Sequence, residues 1–374
     1  MRMKSTRSAF GTRGAVQTEP LGRGPRTGET ERTAASPERE QLAFEDDAVT
    51  LEEGIALRLG GRIGPCRIAY RLVGARAAPV VAVMGGITAD RRVCAVPGRD
   101  ETPGWWEGVV GPGRGLDLYR WRVLTVDFLA GPGGSSAPLP DGTGIVPSLT
   151  PADQASALRA VADHLELHTF HAVMGASYGG AVAMAFAADH ADRIRSALVI
   201  GSAHKSHPLA TAVRVIQRRI VADAVARGKE REGLALARAL AMTTYRSQEE
   251  FQLRFDGEPS SGLAGLRFPV EDYLDYNGQI FADRVDARSF LSLSLSMDLH
   301  RVDPGQVGVP VTLISMEPDS IAPAYLMREL REQLGPGHEL IHVPSTCGHD
   351  GFLTDIEVFG RIVERFLDQP SGTP

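Results

Sequence analysis

Cysteine is scarce in this chain. Its 374 residues include three, Cys66, Cys94 and Cys347, and no two of them stand in a C-x-x-C spacing. That excludes a disulfide framework or a thiolate zinc site as the organising feature. No bound metal or cofactor is expected, and Cys347, two residues before His349, reads as a small residue beside a polar loop. Long apolar runs are also missing. None approaches the roughly 18 residues of a membrane-spanning helix, so no membrane association is expected. Basic charge is short over most of the length. The first forty residues hold 8 Lys/Arg and 5 Asp/Glu, against 40 and 46 in the whole sequence, which leaves the remainder at about −9. A body of that sign is a poor partner for nucleic acid, and an anionic substrate needs a local basic patch. The same forty residues lack aliphatic clusters and read as a disordered tail, assigned to residues 1–45. Their five glutamates argue against a transit peptide, and they hold no apolar signal-peptide core. The expected location is therefore cytoplasmic.

What is present is a regular pattern from about Asp47 onward. Short runs rich in Val, Ile and Leu occur at Arg67–Val73, Pro79–Met84, Arg122–Phe128, His171–Met174, Ala197–Ile200, Val309–Ser315 and Glu339–Val343. Mostly they do not alternate, as befits strands buried on both faces. Helical patterns lie between several of them, at Pro151–Leu167, Tyr178–His190 and Ala324–Leu334, and Asp355–Leu367 closes the chain. Thr150, Pro151 and Asp153 supply an N-cap, a first-turn proline and an early acid. This alternation predicts an α/β fold with a mostly parallel sheet flanked by helices. Residues 204–303 break it with about a hundred residues of helical patterning and no clear strand. They are expected to form a helical lid on a core made of 46–203 and 304–370, above the strand ends where such sheets bind ligands.

The chemistry centres on Gly175-Ala-Ser-Tyr-Gly179, set between a strand and an Ala-rich helix. A small-residue turn whose serine caps the next helix looks the same locally. The strand before it, the paired glycines and the downstream Ser…Asp…His order favour a nucleophile elbow with Ser177 attacking. His349, in a Gly-flanked loop after the late strand, is the candidate base, ahead of His338 and His342 within that strand. Asp319, just after the strand Val309–Ser315, is the candidate partner that sets the imidazole tautomer. Glu317, Asp303 and Asp127 are its competitors. The oxyanion donors are expected to be the N–H groups of Tyr178 and of Ile87, with Gly86 as alternative, in the loop Met84-Gly-Gly-Ile-Thr88.

Over most of residues 60–370 these features resemble the α/β-hydrolase superfamily. Further motifs narrow the resemblance: Gly85-Gly-Ile-Thr-Ala-Asp-Arg91, Gly104-Trp-Trp-Glu-Gly-Val-Val-Gly-Pro-Gly113, Met242-Thr-Thr-Tyr-Arg-Ser247, Tyr273–Arg284 and Cys347-Gly-His-Asp-Gly-Phe-Leu353. Together they look like the homoserine O-acyltransferase family. The Gly-Gly-Ile loop and Gly-x-Ser-Tyr-Gly elbow are closest to its succinyl-transferring branch; acetyl-transferring members usually carry a His-Ala-Leu-Thr-Gly type of loop there. The resemblance implies a ping-pong transfer from succinyl-CoA, as co-substrate, to the hydroxyl of L-homoserine, in methionine biosynthesis. It implies that Arg246 binds the homoserine carboxylate and Asp350 its ammonium, and that the chain is a homodimer through its lid helices. For the succinyl carboxylate, Arg91 or Arg92 is expected to serve; for CoA, the cluster Arg214, Arg218 and Arg219. Competing readings are the same fold with L-serine as acceptor or acetyl-CoA as donor, an esterase or thioesterase, and a non-enzymatic scaffold.

Overall fold

The computed structural model describes residues 42–369 other than 143 and 263–264. Most of the expected disordered tail lies outside that range. Its last residues do not, because the first strand, β1, begins at Ala43 and runs to Leu51. The core strands that follow are β2 (Cys66–Gly74), β3 (Val80–Met84), β4 (Arg122–Val126), β5 (Ala172–Ala176), β6 (Ala197–Ile200), β7 (Val311–Glu317) and β8 (Glu339–Pro344). They form one sheet in the order β1-β2-β4-β3-β5-β6-β7-β8. The pairs β1·β2 and β2·β4 are antiparallel and every later pair is parallel.

The central parallel strands β3, β5 and β6 are buried on both faces, as their apolar composition requires. In β3 all five residues are buried. Ala82 and Met84 join the core on one face, with α1 (Pro151–His164) and α2 (Tyr178–Asp189). Val81 and Val83 join the other, with Phe359, Val363 and Phe366 of the final helix Ile356–Asp368. Helix α1 starts as its sequence predicts: Thr150 accepts from Asp153 N–H, and the Asp153 carboxylate accepts from Thr150 N–H at 2.7 Å.

Strand β1 escaped prediction because its centre is Glu45-Asp-Asp47. Its acids are explained across the ladder. Asp46 lies opposite Arg71, which is 3% exposed and also holds Asp100.

Between β6 and β7 the chain inserts five helices: α3 (Pro208–Ala226), α4 (Glu230–Tyr245), α5 (Gln248–Phe255), α6 (Pro269–Ala282) and α7 (Ala287–Asp298). The expectation of no strand there is corrected by a short antiparallel pair, Ser260–Gly262 with Gly265–Arg267. The insertion has its own small core of Val221, Leu234, Ala237 and Phe281. Among the described residues no helix is long and apolar enough to cross a membrane.

Candidate active site

Strand β5 runs into α2 through Ser177, which takes φ 55° and ψ −118°. A non-glycine residue in that region is strained by about 1–3 kcal/mol and persists only where its surroundings enforce it. Here they do. Ser177 N–H donates to Ile200 O at 2.8 Å, and Gly179 N–H to Gly85 O at 2.9 Å. A Cβ on Gly175 would lie 1.9 Å from Gly179 O, and one on Gly179 would lie 2.2 Å from Met84 O. The elbow therefore closes only with glycine on both sides of the serine.

Three residues from distant parts of the sequence meet in one hydrogen-bonded series. His349 Nε2 is 2.8 Å from Ser177 Oγ, and His349 Nδ1 is 2.7 Å from Asp319 Oδ2. The other Asp319 oxygen accepts from the N–H groups of Ile321 and Ala322 at 2.7 and 3.0 Å. Burial of the imidazole would by itself lower its pKa. The Asp319 carboxylate, assisted by Asp350, outweighs that and holds His349 above its ordinary value. Of the competing acids, Asp303 caps a short 3-10 turn, and Asp127 binds Arg91 and the Gly134 N–H. Glu317 is exposed at the end of β7.

Tyr178 follows the nucleophile, and Ile87 lies in the loop that Gly85 anchors to the elbow. Among the described residues neither backbone N–H donates to another protein group. The Tyr178 side chain is buried, with its hydroxyl 2.7 Å from Ser296 Oγ of α7 and 3.3 Å from Gln154 Nε2 of α1.

Ser177 opens on two cavities. The larger, of about 270 Å³, is lined by Ile87, Trp105, Arg238, Arg284, His349 and Asp350 among others. The smaller, of about 40 Å³, is lined by Tyr178, Ser202, Lys205, Arg214 and His300. A third cavity, of about 250 Å³ and largely apolar, lies under the insertion. It shares Ile87, Arg238 and Tyr245 with the first and Arg214, Met297 and Ile321 with the second.

Asp350 lines the larger chamber. Burial raises its pKa, against the opposing charges of His349, Arg246 and Arg238. Arg246 is placed differently. It does not line the chamber but stands behind Asp350, with Nε 3.2 Å from Asp350 Oδ2 and Nη1 3.4 Å from Glu250. That Nε and the Tyr273 hydroxyl are both buried without a hydrogen-bond partner. The arginine that faces the chamber from this part of the chain is Arg238, whose guanidinium lies 5.1 Å from the Tyr245 ring centre. The sequence signal for it was the seven-residue spacing to Tyr245, two turns along one helix face. Both residues lie on α4, which continues to Tyr245.

Two motifs prove to be one structural unit. Ser247 Oγ donates to Thr346 O. A Cβ on Gly348, which takes φ +62°, would press on Ser247 N at 3.0 Å and Tyr245 O at 3.1 Å. The Thr-Tyr-Arg-Ser segment thus backs the loop that presents His349.

The remaining arginines stand in different settings. Arg91 is absent from the chamber lining and bonds Asp46 and Asp127 at 2.7 and 2.6 Å. Arg92 does reach the rim, paired with Asp90 at 2.6 Å. Arg218 bonds Asp298 and the Ser294 carbonyl and hydroxyl, joining α3 to α7, and Arg219 is exposed. Among the described residues no group of three or more His, Cys, Asp or Glu is arranged to hold a metal ion.

Comparisons with known proteins agree with this architecture. Residues 93–356 match the family model of the alpha/beta hydrolase fold. The chain is 42% identical over 301 residues to a homoserine O-succinyltransferase of Xanthomonas campestris pv. campestris, covering 80% of this chain and 79% of that one. It is 34% identical over 360 residues to an L-serine/homoserine O-acetyltransferase of Streptomyces lavendulae, covering 85% and 96%. The crystal structure of homoserine O-acetyltransferase from Bacillus anthracis superposes with a TM-score of 0.79 at 20% identity, over 88% of this chain and 99% of that one, a likeness of fold. The chain belongs to the homoserine O-acyltransferase family of the alpha/beta hydrolase fold.

Proposed function

We propose that this enzyme moves a succinyl group from succinyl-CoA to the hydroxyl of L-homoserine through an ester on Ser177, as a step of methionine biosynthesis. The reading rests on one observation above others. The chamber at Ser177 holds a carboxylate, Asp350, and an arginine, Arg238, that has no ion pair among the described residues. An amino acid carries the two complementary charges. The name of the Xanthomonas relative supports succinyl as the donor group.

His349 Nε2 takes the Ser177 proton as Oγ attacks the thioester carbon. The oxyanion sits against the N–H groups of Ile87 and Tyr178. The C–S bond breaks and the thiolate leaves with the proton from His349. L-homoserine then binds with its ammonium on Asp350 and its carboxylate on Arg238, while Arg246 holds Asp350 in place. Its hydroxyl gives a proton to His349 and attacks the ester carbonyl, and Ser177 leaves and regains its proton. A covalent ester divides the transfer into two easier steps, and a held acceptor hydroxyl outcompetes water by effective concentration.

The test is thiol release from acetyl-CoA and succinyl-CoA, each with homoserine, serine and water. Succinyl-CoA with homoserine is expected to be fastest. Turnover with water alone would overturn transfer in favour of an esterase or thioesterase. Serine exceeding homoserine would reassign the acceptor; one methylene is worth only about 1–3 kcal/mol in an apolar pocket. The homodimer belongs to the same reading, with Leu209, Ile216 and Leu236 exposed on the insertion, and sedimentation at a single-chain mass would overturn it.

A further inference from the structure

Asp298 of α7 receives two guanidinium groups from α3. Arg214 Nε reaches its Oδ1 at 2.8 Å and Arg218 Nη1 its Oδ2 at 2.7 Å, with Thr211 Oγ1 adding a bond at 2.7 Å. The three charged side chains are 10%, 17% and 8% exposed. Two cations against one anion leave the buried cluster with one positive charge in excess, and an uncompensated buried charge is costly. Arg218 spends its remaining bonds on Ser294. Arg214 uses Nε and Nη2 on Asp298 and Ser206, and among the described residues nothing accepts from Nη1.

Arg214 lines both the small cavity at Ser177 and the apolar cavity under the insertion, and no Asp or Glu lines either. The other cation of the small cavity, Lys205, is committed to Glu329 at 2.7 Å. His300 is buried, with Nε2 2.8 Å from Ala203 O. The larger chamber at Ser177 is lined by Asp90 and Asp350, which repel a second carboxylate, and its Arg92 is already paired with Asp90. Arg284 stands exposed at that chamber, where solvent screens its charge.

We propose that the Arg214–Asp298–Arg218 cluster receives the distal carboxylate of the donor's acyl group, with Arg214 Nη1 as the contacting donor, so that the enzyme selects a dicarboxylic acyl thioester over a short neutral one. This rests on Ser177 carrying the acyl group. It divides the site by charge: acids on the acceptor side, acid-free cavities holding Arg214 on the donor side, with Arg238 lining both the chamber and the apolar cavity.

The experiment is the ratio of kcat/KM for succinyl-CoA to that for acetyl-CoA at saturating homoserine. A charge-assisted hydrogen bond lost from a buried site predicts that Arg214→Met lowers this ratio by about 100-fold. Arg214→Lys, which keeps the charge, is expected to stay within about tenfold of wild type on the same scale. Ser206→Asp places a carboxylate on the same guanidinium without deleting it and is expected to act like Arg214→Met; it carries the test if Arg214→Met does not fold. A ratio unmoved in Arg214→Met and Ser206→Asp, with wild type favouring succinyl-CoA, overturns the Arg214 assignment and leaves the succinyl reading standing. Wild type favouring acetyl-CoA overturns the succinyl reading itself, before any variant is made.

Discussion

Each residue of the Ser177–His349–Asp319 series acts through the next. Because Asp319 holds the His349 pKa above its ordinary value, and the base works only when neutral, activity is expected to fall as pH drops through a pKa above about 6.5. Asp319→Asn removes the carboxylate that favours the protonated ring. It is therefore expected to move the acid limb to lower pH while cutting kcat by about 10⁴-fold through the wrong tautomer. The pH dependence of thiol release measures both; an unmoved acid limb would refute the assignment. Two arginines eight positions apart separate in the same manner. Arg238→Met is expected to raise the homoserine KM by about 100-fold, the loss of a charge-assisted contact, without impairing the thiol burst that precedes acceptor binding. Arg246→Met leaves Asp350 without its ion-pair partner, while Glu250 keeps Arg254 at 2.9 Å, and is expected to cost about 3 kcal/mol of stability in urea unfolding.

At the level of elements, α2 is tied to the insertion and to α1 through one phenol. The Tyr178 hydroxyl meets Ser296 and Gln154 in a fully buried setting. Tyr178→Phe keeps the backbone N–H and the ring but leaves Ser296 without its partner and removes one bond of Gln154, which keeps Leu129, at about 1–3 kcal/mol. Thermal unfolding is expected to show that loss, with the acyl-CoA half-reaction changed far less than by loss of the serine itself. An equal collapse of the half-reaction would mean that the phenol, and not only the N–H, takes part in the chemistry. The elements also show why some predictions succeeded. Strand Ala197–Ile200 and helix Ala324–Leu334 have the bounds their residues foretold, because local periodicity and burial agree there. Strand β1 and the pair at Ser260–Arg267 were missed because short or acidic strands have no apolar signature of their own.

Over the whole molecule, an ion network fastens β1 to the sheet. Arg71 binds Asp46 and Asp100, and Arg91 binds Asp46 and Asp127. Burial would raise the Asp46 and Asp100 pKa values, but bonds to Arg71, and to Arg91 for Asp46, leave both below 3.8. A depressed folded pKa contributes stability that is present above the unfolded value and is lost as pH falls through the folded one. The protein is thus expected to lose stability below about pH 4. Arg71→Met is expected to cost about 3–5 kcal/mol at pH 7 and to flatten that acid dependence. Urea unfolding at pH 7 and pH 3 measures both, and an equal cost at the two would exclude the network as the source.

The reaction type was legible in residue order alone. The elbow, the base loop and the acid each follow a strand with a strong local pattern, and the parallel sheet brings strand ends together whatever the intervening lengths. The sequence by itself therefore determined the α/β fold and singled out Ser177, His349, Asp319 and Asp350, which the structure brings together. It did not determine which arginine faces which cavity. Arg91, Arg214, Arg218, Arg238 and Arg246 are alike in one dimension. Their assignments depend on acids 45 to 104 positions away, Asp46, Asp298 and Asp350, which pair with some of them and leave others open. Only the tertiary structure decided that, because charges pair by distance in space and burial sets what each pair is worth.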